Sequence, residues 1–121
     1  MEFRENSAIY LQIAELIFDW ILSEKWKPEE RIPAVRELSV NLEVNPNTVM
    51  RTYQLLESMN IICLKRGTGF YLTENAYEIV YSSQKETFLK TELPEMFRKL
   101  QLLKIKPDEL QEIYNHYLLH E

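Results

Sequence analysis

The chain has 121 residues, 45% hydrophobic and 27% charged, enough for one compact domain or a small domain with an appendage, and too apolar for intrinsic disorder. Its apolar runs are short and interrupted, as at Gln12, Glu15 and Asp19 within residues 9–20, which excludes a bilayer span. The net charge of −5 excludes a broadly basic nucleic-acid-coating protein, so any DNA affinity has to come from cations placed locally.

Residues 8–24 form the first expected helix. Ile9, Ile13, Leu16, Ile17, Trp20 and Ile21 recur at three- and four-residue steps, Gln12, Glu15 and Asp19 fall on the other face, and Ser7 is placed to cap the start. Pro28 and Pro33 then mark a loop with a short extended piece. Pro33 sits just ahead of a second helix over 34–42, with Val35, Leu38 and Leu42 inward and Arg36, Glu37 and Asn41 outward. After the break at Glu43-Val44-Asn45, Asn45 caps a third helix that begins at Pro46 and runs to about Met59. Val49, Tyr53 and Leu56 take its inner side; Asn47, Arg51 and Gln54 take the outer one.

The period then changes from helical to extended. Residues 61–65 and 69–73 are short β-rich runs around Arg66-Gly67-Thr68, a hairpin signature, and both glycines of the sequence lie at this turn. From Glu74 the pattern is helical again, with Tyr77, Val80, Tyr81, Phe88 and Leu89 in one loose stripe and Phe97, Leu100 and Leu103 in the next. Pro94 starts or kinks a helix, leaving 75–92 and 94–104 as two segments or one bent rod. Pro107 opens a last amphipathic helix carrying Leu110, Ile113, Tyr114, Tyr117 and Leu118.

Helix, helix, short turn, helix, hairpin is the order of a winged helix-turn-helix. The fold class expected is therefore mainly α with a small β-hairpin wing, followed by a short C-terminal helical region. In such a motif the second helix enters the major groove and shows its early residues to base edges. Here those are Asn47, Thr48, Met50 and Arg51: an Asn pairs with adenine, an Arg with guanine or phosphate, and a Thr or Met methyl meets the thymine methyl. A solvated surface face is the plainer alternative, and for Arg66 so is a charge that keeps a hairpin tip soluble. The acidic balance keeps a second functional reading open, a winged helix that serves protein interaction with weak DNA affinity. Enzyme chemistry has no support, since there is no phosphate-cradling glycine loop, nucleophile elbow or acid/base pair.

Residues 31–39, Arg-Ile-Pro-Ala-Val-Arg-Glu-Leu-Ser, and 44–57, Val-Asn-Pro-Asn-Thr-Val-Met-Arg-Thr-Tyr-Gln-Leu-Leu-Glu, resemble the DNA-binding domain of the GntR family of bacterial regulators. The Asn-Pro-Asn-Thr-Val run, the following Arg-x-Tyr, and Lys65-Arg66-Gly67-Thr68-Gly69 are similar to its YtrA-type branch. The resemblance implies that Arg36 contacts phosphate, that Asn45, Asn47, Thr48 and Arg51 read or anchor the major groove, and that Lys65, Arg66 and Gly67 set the wing near the minor groove. Glu30, Glu43 and Asn60 stand where the family usually has glycine; Asn accepts a left-handed backbone better than Glu does.

The expected division is residues 1–73 as the DNA-binding domain and 74–121 as a helical dimerisation tail, too short for a domain with an effector pocket. The resemblance implies a repressor acting as a homodimer through its C-terminal helices on a palindromic, double-stranded operator; a tail folded back on its own winged helix in a monomer is the competing arrangement, and whether a small-molecule effector exists is left open. No cofactor and no membrane partner are implied. The lone Cys63 excludes an internal disulfide and, with no leader-like segment, points to the cytoplasm. Cys63 reads as core, His116 and His120 share a helix face without a convincing third ligand, and the Tyr77, Tyr81, Tyr114 and Tyr117 group reads as core or interface.

Overall fold

A computed structural model describes residue 3 and residues 7–121. Its elements run α1 (Ile9–Leu22), α2 (Val35–Leu42), α3 (Pro46–Ser58), β1 (Ile62–Lys65), β2 (Gly69–Leu72), α4 (Ala76–Thr87), a π-helical turn (Phe88–Glu92), α5 (Leu93–Leu102) and α6 (Pro107–Leu119). The chain forms two compact units, Met1–Ser83 and Gln84–Glu121. The first is a winged helix-turn-helix: α2 and α3 form the motif and the β1–β2 hairpin is the wing.

The core of this unit is built where the three- and four-residue spacing put it. Ile13, Ile17 and Ile21 of α1 meet Val49, Tyr53 and Leu56 of α3, and Ile61, Ile62, Leu72, Ala76 and Val80 close the far side. Burying each Val, Leu and Ile side chain of this set contributes about 1.5–3 kcal/mol. Two readings of α1 need correction. Gln12 is buried, not outward, and its Nε2 donates to the Ser7 carbonyl at 2.9 Å. Ser7 does not cap the helix either; the capping position is Ala8, with no side-chain bond to the first turn. Ala14 and Phe18 are buried beside Ile13 and Ile17, whereas Ile9, in the first turn, is exposed.

The helix ends explain the turn geometry. At the end of α2, Glu43 adopts φ 56°, ψ 46°, and the Val44 N–H reaches back to the Ser39 carbonyl at 3.0 Å. That six-residue closing bond requires a left-handed residue, normally glycine. Asn60 (φ 63°) and Lys104 (φ 59°) serve the same purpose after α3 and α5, where Ile61 and Ile105 N–H groups bond Leu56 and Leu100 carbonyls. Near the first proline pair, the left-handed residue is Glu29 (φ 65°), one position before the Glu30 that the family pattern singled out.

In the second unit, Pro94 lies at the start of α5 and has no N–H for the carbonyl four residues before it, Lys90. Lys90 belongs to the π turn, so the irregularity that Pro94 demands is absorbed as a widened turn. Every residue of α6 except the half-buried Leu110 is exposed, including Ile113, Tyr114, Tyr117 and Leu118. Phe88, Leu89 and Phe97 are likewise open to solvent.

Candidate nucleic-acid interface

The start of α3 is set by Asn45. Its Oδ1 accepts the Asn47 N–H at 2.8 Å, and Pro46 fills the first helical position, where a missing N–H costs nothing. The cap occupies one end of the Asn45 amide, and its NH₂ end is left for a ligand. Turning the helix so that Val49, Thr52, Tyr53 and Leu56 are buried leaves Asn47, Met50 and Arg51 on the exposed side, with Thr48 half-buried beside them.

Two tertiary contacts fix the pose of this helix, and neither was read from the sequence. The Thr52 hydroxyl donates to the Tyr10 carbonyl at 2.7 Å, pinning α3 to the first turn of α1. The Tyr53 hydroxyl donates to the Pro33 carbonyl at 2.6 Å, and its ring meets Phe70 edge-on with centroids 5.2 Å apart. Tyr53 thus joins three parts: α3, the loop that leads into α2, and the wing. Burial, then the nearby Glu37 carboxylate, pushes its phenol well above the usual tyrosine range, so it stays a donor. Arg51 is also held from α1: its guanidinium lies 3.8 Å from the Tyr10 ring centroid. Helical spacing alone gave no sign of these contacts, because Tyr10 falls off the apolar stripe and the contacts cross between elements.

The wing is a tight antiparallel hairpin with Ile62 opposite Leu72 and Lys65 opposite Gly69. Its turn closes through the Thr68 N–H and hydroxyl, each 3.0 Å from the Lys65 carbonyl, with Gly67 at φ 81° at the tip. Lys65 rests its ammonium 4.3 Å above Tyr71. The short extended piece expected after Pro28 pairs along the other edge of β2: Leu72 N–H bonds the Glu30 carbonyl at 3.0 Å and Ile32 N–H the Phe70 carbonyl at 2.9 Å. This brings Arg31 to the wing, a residue that sequence reasoning had placed in the GntR-like run but given no part in DNA contact.

The structure therefore gathers Arg36, Asn45, Asn47, Thr48, Met50, Arg51, Lys65, Arg66 and Gly67 within the first unit, all exposed except the half-buried Thr48. Among the described residues, none of Arg31, Arg36, Arg51, Lys65 and Arg66 has a carboxylate within ion-pair distance; the salt bridges Lys90–Glu86 and Arg98–Glu95 belong to the second unit. An acidic chain thus keeps its winged-helix cations unneutralised, which is what attraction to phosphate requires.

Other candidates are plain in the structure. Cys63 is half-buried in β1 opposite Tyr71. The His116 and His120 rings lie 4.3 Å apart, and among the described residues no three His, Cys, Asp or Glu side chains converge as a metal site. Tyr77 and Tyr81 stack with centroids 6.0 Å apart. Among the described residues no helix is long and apolar enough to cross a membrane.

Comparison with known proteins gives these features a frame. Residues 9–72 match the profile of bacterial regulatory proteins of the gntR family. The chain is 33% identical to the HTH-type transcriptional regulator YhcF of Bacillus subtilis, over 92% of this chain and 90% of that protein. It is also 33% identical to the HTH-type transcriptional repressor YtrA of Bacillus subtilis, over 90% of this chain and 83% of that one. A crystal structure from Bacteroides thetaiotaomicron assigned to the GntR family superposes with a TM-score of 0.72 at 43% identity, covering 93% of this chain and 98% of the other.

Proposed function

The chain belongs to the GntR family of bacterial regulatory proteins, and from that premise we propose that it is a repressor of the YtrA type, binding a palindromic operator as a homodimer. At the coarser level it is a sequence-specific DNA-binding transcription regulator, in a family of regulators and not of enzymes. The observation that supports the DNA-binding part of this reading is the face of α3: Asn47, Met50 and Arg51 stand exposed on a helix tied to α1 and to the loop that leads into α2.

The residue roles follow from this placement. Asn47, Thr48, Met50 and Arg51 read or anchor the major groove, with the free NH₂ of Asn45 beside them. Arg36 holds a phosphate from the first turn of α2. Lys65, Arg66 and the bare backbone at Gly67 approach the minor groove, where a side chain would obstruct contact. Residues 1–73 do this work, and residues 74–121 pair two chains.

Pairing is supported by the second unit, which leaves Phe97, Ile113, Tyr117 and Leu118 about half or more exposed (50%, 56%, 63% and 48%). A monomer rarely shows so many large apolar groups to water. Likeness to YtrA, a transcriptional repressor, over most of both chains favours repression. Gel-shift titration with the chain's own upstream region tests the proposal. Saturable, sequence-selective binding is expected, with Arg51→Ala losing about 1–3 kcal/mol on the operator and Arg36→Ala weakening all sequences alike. Binding insensitive to sequence, or absent at low salt, refutes it.

A further inference from the structure

Arg31 is not among the residues that the helix-turn-helix motif supplies, yet the fold carries it to the wing. Its backbone pairs with Tyr71, and the neighbouring Ile32 N–H bonds Phe70, so the residue is fixed at the foot of β2. Gly69 decides where its side chain lies. A Cβ at Gly69 would sit 3.1 Å from Nε and 3.4 Å from Nη2 of Arg31, on a backbone at φ +122°. Glycine there lets the guanidinium lie across the strand without the few-tenths-of-an-ångström shift that a Cβ would force.

Beside it runs a groove of about 330 Å³ between the first turn of α2 and the wing, lined by Arg31, Arg36, Val35, Leu64, Gly69 and Phe70 among others. Apart from the two arginines its surface is almost wholly apolar, and Leu64 is 57% exposed there. Among the described residues neither arginine has an ion-pair partner, and no acidic side chain lines the groove. A second hollow that shares Arg31, Ile32 and Ala34 is lined also by Glu37, which repels an anion. Two free guanidiniums above apolar walls match one repeating chemistry, the sugar–phosphate strand: phosphate oxygens on the arginines and deoxyribose on Val35, Leu64 and Phe70.

The geometry points to Arg31 as a phosphate-binding residue, in a groove that receives one backbone strand of duplex DNA beside the wing. This assignment rests on the DNA-binding reading above and adds a cation to it. A guanidinium that merely supported the wing would affect affinity equally at every ionic strength; one that displaces a counterion from DNA changes the slope of affinity against salt.

The test is fluorescence anisotropy with a labelled 20-base-pair duplex of arbitrary sequence, titrated with the full chain from about 50 to 200 mM salt. Arg31→Met keeps the aliphatic stem without the charge, and its slope of log affinity against log salt is expected to fall by about 0.9 per bound protomer. Across that fourfold range of salt this is roughly a 3.5-fold smaller loss of affinity per protomer. Arg31→Lys is expected to keep the wild-type slope. Arg31→Gln repeats the measurement with a polar side chain should the Met variant not fold. An uncharged variant that binds weakly but with the wild-type slope, or a Lys variant whose slope falls like that of Met, overturns the assignment. Absence of salt-dependent binding by the wild-type chain would instead overturn the DNA-binding reading itself.

Discussion

Replacing Glu43 by glycine is expected to stabilise the helix-turn-helix. Glu43 closes α2 in the left-handed region at φ 56°, ψ 46°, and its N–H bonds the Ser39 and Val40 carbonyls. That conformation costs a side-chain-bearing residue about 1–2 kcal/mol, because Cβ crowds the following carbonyl oxygen. Glycine escapes this crowding and gives back about 0.5–1 kcal/mol through the extra freedom of the unfolded chain. The net gain is about 0.5–1 kcal/mol, a rise in Tm of about 2–8 °C for a domain of this size. Both tryptophans, Trp20 and Trp26, lie in the first unit with ring centroids 5.1 Å apart, so their fluorescence in thermal and urea melts follows this unit. Glu43→Gln separates charge from strain: it keeps the left-handed cost, so stability should not change, while loss of a negative charge in the turn should raise affinity for duplex DNA. Glu43→Gly should raise both. A glycine variant no more stable than wild type would refute the reasoning, since a residue free to relax elsewhere carries no such cost.

Three further outcomes are expected. Tyr53→Phe keeps the ring against Phe70 but leaves the Pro33 carbonyl without its donor, costing about 1–2 kcal/mol in urea denaturation. The phenol titrates higher folded than unfolded, so its contribution is intact below about pH 10 and is lost as pH rises from there; the wild type should lose more stability than Tyr53→Phe in that alkaline range. Tyr10→Leu should weaken operator binding by about 0.5–1 kcal/mol through Arg51, and a double-mutant cycle with Arg51→Ala should show the two losses are one; additive losses refute the coupling. If the proposed dimer forms through α6, Ile113→Asp on its exposed face should give a species of 14.6 kDa by light scattering, half the mass expected of the wild type, with weaker DNA binding; a variant with the same mass as the wild type removes α6 from the proposed contact.

Much of this molecule was legible because its signals are local. Asn45-Pro46 caps α3 within three residues, Arg66-Gly67-Thr68 turns the wing, and Val49, Tyr53 and Leu56 repeat at helical spacing. What was not legible depends on contacts between elements. Gln12 looked outward by periodicity, but an open first turn of α1 gave its amide the Ser7 carbonyl. Tyr53 looked like ordinary core, and only its hydroxyl on Pro33 makes it the joint of α3, α2 and the wing. Arg31 looked like loop until strand pairing carried it to Gly69. The shift from Glu30 to Glu29 as the left-handed residue arises from the same pairing, since Glu29 N–H and Glu30 carbonyl both bond Leu72.

The two glycines of the wing and the left-handed Glu43, Asn60 and Lys104 divide the chain into two kinds of position. At the helix ends a bulky residue already tolerates the geometry at a cost, so random mutagenesis followed by selection for DNA binding should recover many substitutions there, glycine among the best. At Gly69 the backbone at φ +122° strains any side-chain-bearing residue and a Cβ would crowd Arg31 at 3.1 Å, so fewer substitutions should survive there than at the helix ends. Gly67, with open space around it, falls between the two. The pattern of tolerated change along the chain would then map where this fold has slack and where it has none.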